Sequence, residues 1–158
     1  APLVGHLAAW NYFMSVDSEA NESFIESWHA FIKDEDRVTN DPMEAHYIGF
    51  NMWVKAVEKA GTTDSQAVQD AIIGVSVPNL TGGLSAMMPN HHISKPVLIG
   101  EIQDDGQFEV VSSTSGLVVG DAWSDYLEGS KDLISDWRSP LSCGAYNVKT
   151  AKCSGQNY

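Results

Sequence analysis

The sequence predicts an α/β fold, and three observations predict it. An apolar run punctuated by aromatics, "VGHLAAWNYF" at residues 4–13, reads as a buried strand. Three segments between residues 18 and 73 space their apolar residues at helical intervals behind capping signals. Beyond residue 75, β-prone runs flank "DDG", the signature of a hairpin turn.

After the first strand, Asp17 offers an N-cap, and Phe24, Ile25, Trp28, Phe31 and Ile32 follow at helical spacing, which predicts a helix over 18–33. "KDEDRVTN" at 33–40 is a charged loop. In "DPME", residues 41–44, Asp41 serves as a cap, Pro42 fits the first helical position and Glu44 closes a capping box. Met43, Tyr47, Phe50, Val54 and Val57 then mark one apolar face, and Gly61 ends the helix. Thr63 and Gln66 repeat the capping box ahead of a shorter helix that carries Val68, Ala71 and Ile72 and is closed by Gly74.

"GLSAM" is a short strand; "KPVLIGEIQ" and "QFEVVSS" are two more, joined through "DDG" in a type I′ turn whose central residues need positive φ. From about residue 117 the chain is rich in turn residues, with Trp123, Tyr126 and Trp137 as isolated anchors. One strand, three helices and a hairpin do not complete a doubly wound sheet. The expectation is the C-terminal part of a larger α/β protein.

Composition narrows the function. The 158 residues are 43% apolar, enough for a real core, and they lack an apolar stretch of the ~18 residues that would span a membrane. The N-terminus "APLVGHLAAW" has no basic region ahead of an apolar run, so it does not read as a signal peptide. Twenty-one acidic side chains against nine basic ones give a formal net charge of −12, spread along the chain, which a nucleic-acid backbone would repel. The two cysteines, Cys143 and Cys153, bracket "CGAYNVKTAKC", a spacing that fits neither a CxxC redox pair nor paired zinc ligands. The expected pairing is a disulfide closing a small C-terminal loop, which implies an oxidising compartment such as a periplasm.

The chemistry-bearing patterns point to binding. There is no GxSxG elbow, no GxGxxG or GxxxxGK[ST] loop, and "TGGLS" lacks the lysine that a phosphate loop requires. His29 and His46 fall beside apolar helix faces and His6 falls in the first strand, positions that suit packed or surface histidines. His91 and His92 are adjacent and in an extended chain would face opposite sides, so they cannot readily share a metal, and no metal or cofactor is expected. The Asn-x-Ser/Thr matches at Asn21 and Asn79 are too short to carry weight. Glu44 has two readings: it completes a cap, or it stands beside the oriented N–H groups of a helix start and grips a small polar ligand.

Three blocks, "GHLAAWNYFMSVDSEANESFIESW", "DRVTNDPMEAHYIGFNMWVKAVEKAG" and "NHHISKPVLIGEIQDDGQFEVV", resemble the C-terminal half of urea ABC-transporter substrate-binding proteins. These are members of the branched-chain-amino-acid and amide-binding group of type I periplasmic binding proteins. The resemblance runs from about residue 4 to 126, and the third block is its most specific part.

The resemblance implies two α/β lobes, a hinge and a ligand enclosed between them. Residues 1–13 would be the last strand of the second lobe and a crossover, 14–86 helices packing on the first lobe, 87–116 the closing hairpin of the second lobe, and 117–158 an irregular segment with the disulfide loop. An N-terminal part of the same protein would be missing. Met43 and Glu44 would lie near the ligand and Tyr12 would line the hinge. The implied function is periplasmic binding of urea and its delivery to permease subunits, without catalysis or nucleic acid. The alternatives are binding of short-chain amides or branched-chain amino acids, or a cytoplasmic amide sensor of the same fold.

Overall fold

In a computed structural model, residues 2–120 are described, together with the backbone of a small ladder in which β6 (Tyr146–Asn147) pairs antiparallel with β7 (Lys152–Cys153). The expected pairing of Cys143 with Cys153 lies outside the described side chains. Residues 1–121 form one compact unit.

Its element order is β1 (Leu7–Trp10), α1 (Glu19–Ile32), α2 (Asp41–Ala60), α3 (Ser65–Ile72), β2 (Ser76–Pro78), β3 (Leu84–Ala86), β4 (Leu98–Ile102) and β5 (Phe108–Ser113). An antiparallel sheet runs β1-β4-β5, with Trp10 opposite Leu98 and Leu98 opposite Ser113. The hairpin β2-β3 forms a second, smaller sheet that packs on α2. No helix among the described residues is long and apolar enough to cross a membrane.

The three helices form where their spacing predicts, but each starts one residue away from the expected cap. Ser18 caps α1: its hydroxyl accepts the Asn21 N–H at 3.2 Å. Asn40 caps α2, accepting the Met43 N–H at 3.1 Å, and Asp64 caps α3, accepting the Ala67 N–H at 3.0 Å. Asp17, Asp41 and Thr63 therefore do not cap, and Glu44 and Gln66 do not close capping boxes. In each case a neighbour with an equally short polar side chain adopts the extended backbone or reaches the free N–H, so type alone could not choose between them. Gly61 ends α2 as expected, in the left-handed conformation (φ +66) with its N–H on the Val57 carbonyl. Ile73, rather than Gly74, is the residue that ends α3.

The buried face of α2 also differs from the expected one. Glu44, Ile48, Met52 and Ala56 are buried in an i, i+4 stripe, whereas Tyr47 and Phe50 are 46% and 63% exposed. The buried stripe packs with Val68 of α3 and with Val75, Val77 and Met87 of the hairpin region. A second cluster holds Tyr12, Phe24 and Leu80.

The first strand is shorter than residues 4–13 and is not buried: Leu7 is 63% and Trp10 46% exposed. It sits at the edge of a three-stranded sheet, so burial falls instead on Tyr12 and Phe13 just beyond it. Phe13 stacks on Phe108 with ring centroids 4.5 Å apart, and a Cβ on Gly100 would come within 2.7 Å of the Phe13 ring. Only glycine lets that ring lie on the sheet. The hairpin β4-β5 forms as expected, but its turn is not type I′. Gly106 alone has positive φ (+84), and its N–H bonds the Gln103 carbonyl at 3.1 Å, which is a type I turn followed by a left-handed glycine.

His91 and His92 do not lie in an extended chain. His91 is left-handed (φ +60) inside a tight turn closed by the Met88 N–H on the His92 carbonyl at 2.8 Å. Asn90 fastens that turn by donating to the Gly120 carbonyl at 2.8 Å. Among the described residues no cluster of three metal-ligating side chains exists.

The candidate ligand cleft and its buried polar wall

Two connections lead out of and back into the three-stranded sheet: residues 11–18, from β1 to α1, and residues 87–97, from β3 to β4. A cleft of about 290 Å³ opens beside the first of them. Its walls are aromatic, from Trp10, Tyr12, Phe13 and Phe108. Its polar rim comes from Thr39, Asn40 and Asp41 at the start of α2 and from Gln107 in the hairpin turn. No lysine or arginine lines it.

Tyr12 lines this cleft, although it is only 1% exposed. Its hydroxyl donates to Asn21 Oδ1 at 2.7 Å and therefore accepts from the Thr39 hydroxyl at 2.6 Å. Asn21 in turn donates both amide hydrogens, to the carbonyls of Met14 at 2.9 Å and Val16 at 2.8 Å. One buried asparagine thus holds the connection after β1 in a fixed turn and aims Tyr12. Burial, chiefly, pushes the Tyr12 phenol up to about 12, with the nearby Glu44 charge adding to it and the Thr39 hydrogen bond opposing.

That chain of hydrogen bonds makes a prediction. Tyr12→Phe strands the Asn21 carbonyl oxygen and the Thr39 hydroxyl in the interior, at an expected cost of ~1–3 kcal/mol in chemical denaturation. The phenol's folded value lies above its ordinary 10.0, so its contribution is complete below that pH and is lost as pH rises towards about 12. The alkaline limb of the wild-type stability curve should accordingly flatten in the phenylalanine variant.

Glu44 is fully buried and lies off the cleft lining. Its Oε2 accepts from Lys95 Nζ in a buried ion pair, and Lys95 stands on the second connection. Its Oε1 makes no hydrogen bond to the protein, although the Leu80 N–H is near enough to favour the carboxylate. Desolvation dominates and raises the carboxyl above its ordinary 4.5, against the Lys95 hydrogen bond and charge, while Asp41 raises it further. Asn79 Nδ2 and Ser85 Oγ, on the hairpin, are also buried without protein partners. Met43 lines a separate apolar groove with Phe24, Trp28, Pro42, His46 and Tyr47. The structure therefore brings Tyr12 and Glu44 into one neighbourhood, one on the cleft and one behind it, and sets Met43 apart.

Sequence reading missed Asp41 as a lining residue, Lys95 as the partner of Glu44, and Asn11. The Asn11 N–H donates to Asp41 Oδ1 at 3.0 Å, and its Nδ2 donates to the Pro96 carbonyl at 2.7 Å. Nothing local marks these pairs, because their members are 30 to 85 residues apart.

A family model described as a periplasmic binding protein domain matches residues 1–129. The chain belongs to this family. The periplasmic binding protein domain accounts for the mixed architecture, and solved structures agree with it. A solute-binding protein of an ABC transporter from Rhodopseudomonas palustris HaA2, in complex with p-hydroxybenzoic acid, superposes with a TM-score of 0.63 at 23% identity over 73% of this chain and 32% of its own. A second from R. palustris, in complex with benzoate, gives 0.65 at 15% identity over 76% of this chain and 32% of its own. A leucine-binding protein from Thermotoga maritima MSB8 gives 0.58 at 15% identity over 70% and 31%.

At these identities the likeness establishes the type I periplasmic binding fold. Among curated proteins, limonene hydroxylase of Geobacillus stearothermophilus is 29% identical over 110 residues, which is 70% of this chain and 20% of that protein. The chain spans about a third of the solved structures it resembles and a fifth of that relative.

Proposed function

We propose that this periplasmic binding protein domain is part of the solute-binding component of an ABC importer, and that its ligand is urea or a similarly small amide. The observation that carries the reading is the cleft: flat aromatic walls, a carboxylate and two side-chain amides on the rim, and no cation in the lining. Urea is planar, offers N–H donors on both sides and has a carbonyl oxygen that accepts, so Asp41 suits its N–H groups and the N–H groups of the Asn40 and Gln107 amides suit its oxygen. A carboxylate ligand would meet Asp41 with no lining cation to offset it.

In this reading residues 1–13 and 87–116 belong to one lobe, and residues 14–86 pack on the other. The two connections form the hinge, Tyr12 lines it, and Glu44 supports the cleft from behind. Met43, in its separate groove, is a contact only if closure brings it round. Closure over the ligand gives the form that permease subunits in the membrane would engage, in the periplasm. The reaction is binding and release.

A second reading has one observation in its favour. Four aromatic side chains in the wall suit an aromatic ring, and two solved relatives are in complex with benzoates. The test is calorimetric titration of the full-length protein with urea, acetamide, leucine and 4-hydroxybenzoate. Micromolar or tighter binding of urea, with the others weaker by about a hundredfold, is the expected result for a site whose buried polar groups a wrong ligand leaves unpaired. Tight 4-hydroxybenzoate or leucine binding with none of urea would replace the ligand assignment, and turnover of urea or acetamide would overturn the binding-only reading.

A further inference from the structure

We propose that Asn11 is the positioning residue of the cleft: it ties the two connections to each other and the first of them to the start of α2. This rests on the reading of the cleft as the ligand site.

The geometry is a three-way junction. Asn11 lies on the first connection, between Trp10 and Tyr12, which both line the cleft, yet Asn11 itself is not in the lining. Its backbone N–H is taken by the Asp41 side chain at the start of α2, and its side-chain amide is taken by the Pro96 carbonyl on the second connection. Asparagine suits the post because its short side-chain amide donates to the backbone carbonyl of Pro96, a residue whose ring fixes its own φ. Beside this neutral clasp runs an ionic one: Glu44, three residues along α2, pairs with Lys95, one residue before Pro96. Two residues in the first turn of α2, Asp41 and Glu44, are thereby tied one to each connection.

The consequence is local. Asn40, Asp41 and Pro42 form part of the cleft rim, and their position relative to the aromatic wall depends on the Asn11 contacts rather than on the hydrophobic core. The core of α2 begins at Ile48 and Met52, which pack on α3 and the hairpin. Loosening the clasp should move the rim without unfolding the helix.

The experiment is amide hydrogen exchange on the full-length, unliganded protein as wild type, Asn11→Ala, Asp41→Ala and Asp41→Asn. Asp41→Ala removes the acceptor of the Asn11 N–H and should speed exchange at the Met43 and Glu44 N–H groups by about tenfold relative to those of Met52 and Ala56, the effect of one lost hydrogen bond; Asn11→Ala keeps that backbone N–H but frees the first connection from Pro96, and should move the same ratio in the same direction by less. Asp41→Asn keeps an acceptor for the Asn11 N–H and should restore the wild-type ratio. An unchanged ratio in both alanine variants, or a uniform rise along the whole helix, would overturn the proposal, since the first means no clasp and the second a merely structural contribution. Titration with urea is the second arm: Asn11→Ala should weaken binding by about tenfold while leaving the lining side chains in place. If the wild-type protein binds no urea, the ligand assignment fails, and the exchange ratio still decides whether Asn11 positions the rim. If urea binds equally to wild type and Asn11→Ala despite a changed ratio, the clasp does not serve the cleft, and the proposal falls.

Discussion

Replacing Lys95 with methionine is expected to cost ~3–5 kcal/mol of stability at neutral pH, the loss typical of breaking one side of a buried ion pair. Methionine fills the volume of the lysine stem, so the cost is electrostatic: Glu44, itself fully buried, loses the partner of its Oε2 while its Oε1 already has none. Besides burial, the groups that act on Glu44 are Lys95, Asp41 and the Leu80 N–H, and removing Lys95 leaves burial and Asp41 pushing the carboxyl upward against the Leu80 N–H alone.

The pH dependence follows in sign. The folded carboxyl lies above its ordinary 4.5, so its contribution is complete below that pH and is lost as pH rises through the folded value. Removing Lys95 raises the folded value further, and the penalty of the methionine variant should therefore shrink as pH falls through the folded values and Glu44 takes up a proton in both proteins. Denaturation curves of wild type, Lys95→Met and the double variant Lys95→Met with Glu44→Gln, taken across that range, check it. The double variant should show no such pH dependence. A loss below ~1 kcal/mol that does not vary with pH would mean the pair is open to water.

The second large effect is at Met52. Truncation to alanine should cost ~2–5 kcal/mol, because the side chain is wholly buried among Ile48, Ala56, Val68, Val77 and Met87 and leaves a cavity there. The measurable sign is a lower denaturant midpoint with an unchanged slope. Met52 is the position from which the core of α2 is organised, although apolar spacing in the sequence placed the buried face on Tyr47 and Phe50.

That misplacement shows where sequence reading stops. α2 carries two apolar faces, one through Ile48, Met52 and Ala56 and one through Tyr47, Phe50 and Trp53, of which the second is largely exposed in the described unit. Periodicity identifies a helix with either face, and it discounts the true one because that stripe opens on a charged residue, Glu44. Only the position of Lys95, 51 residues away, makes a buried carboxylate tolerable there. The same holds for the cleft, where Asp41 and Asn11 acquire their roles from each other and from Pro96. The missed strand Ser76–Pro78 is three residues long and too short for alternation to register.

By itself the sequence determined the class of fold, the three helices to within a residue or two and the β4-β5 hairpin. Those features rest on interactions within a few residues, such as apolar spacing, a short side chain on a free N–H and a glycine at a positive φ, which the chain carries wherever it goes. The tertiary structure alone decided which face of α2 is buried, which polar groups are paired, and which residues stand on the cleft. Those depend on contacts between distant segments, and a buried carboxylate, phenol or amide is stable only where the fold supplies its partner.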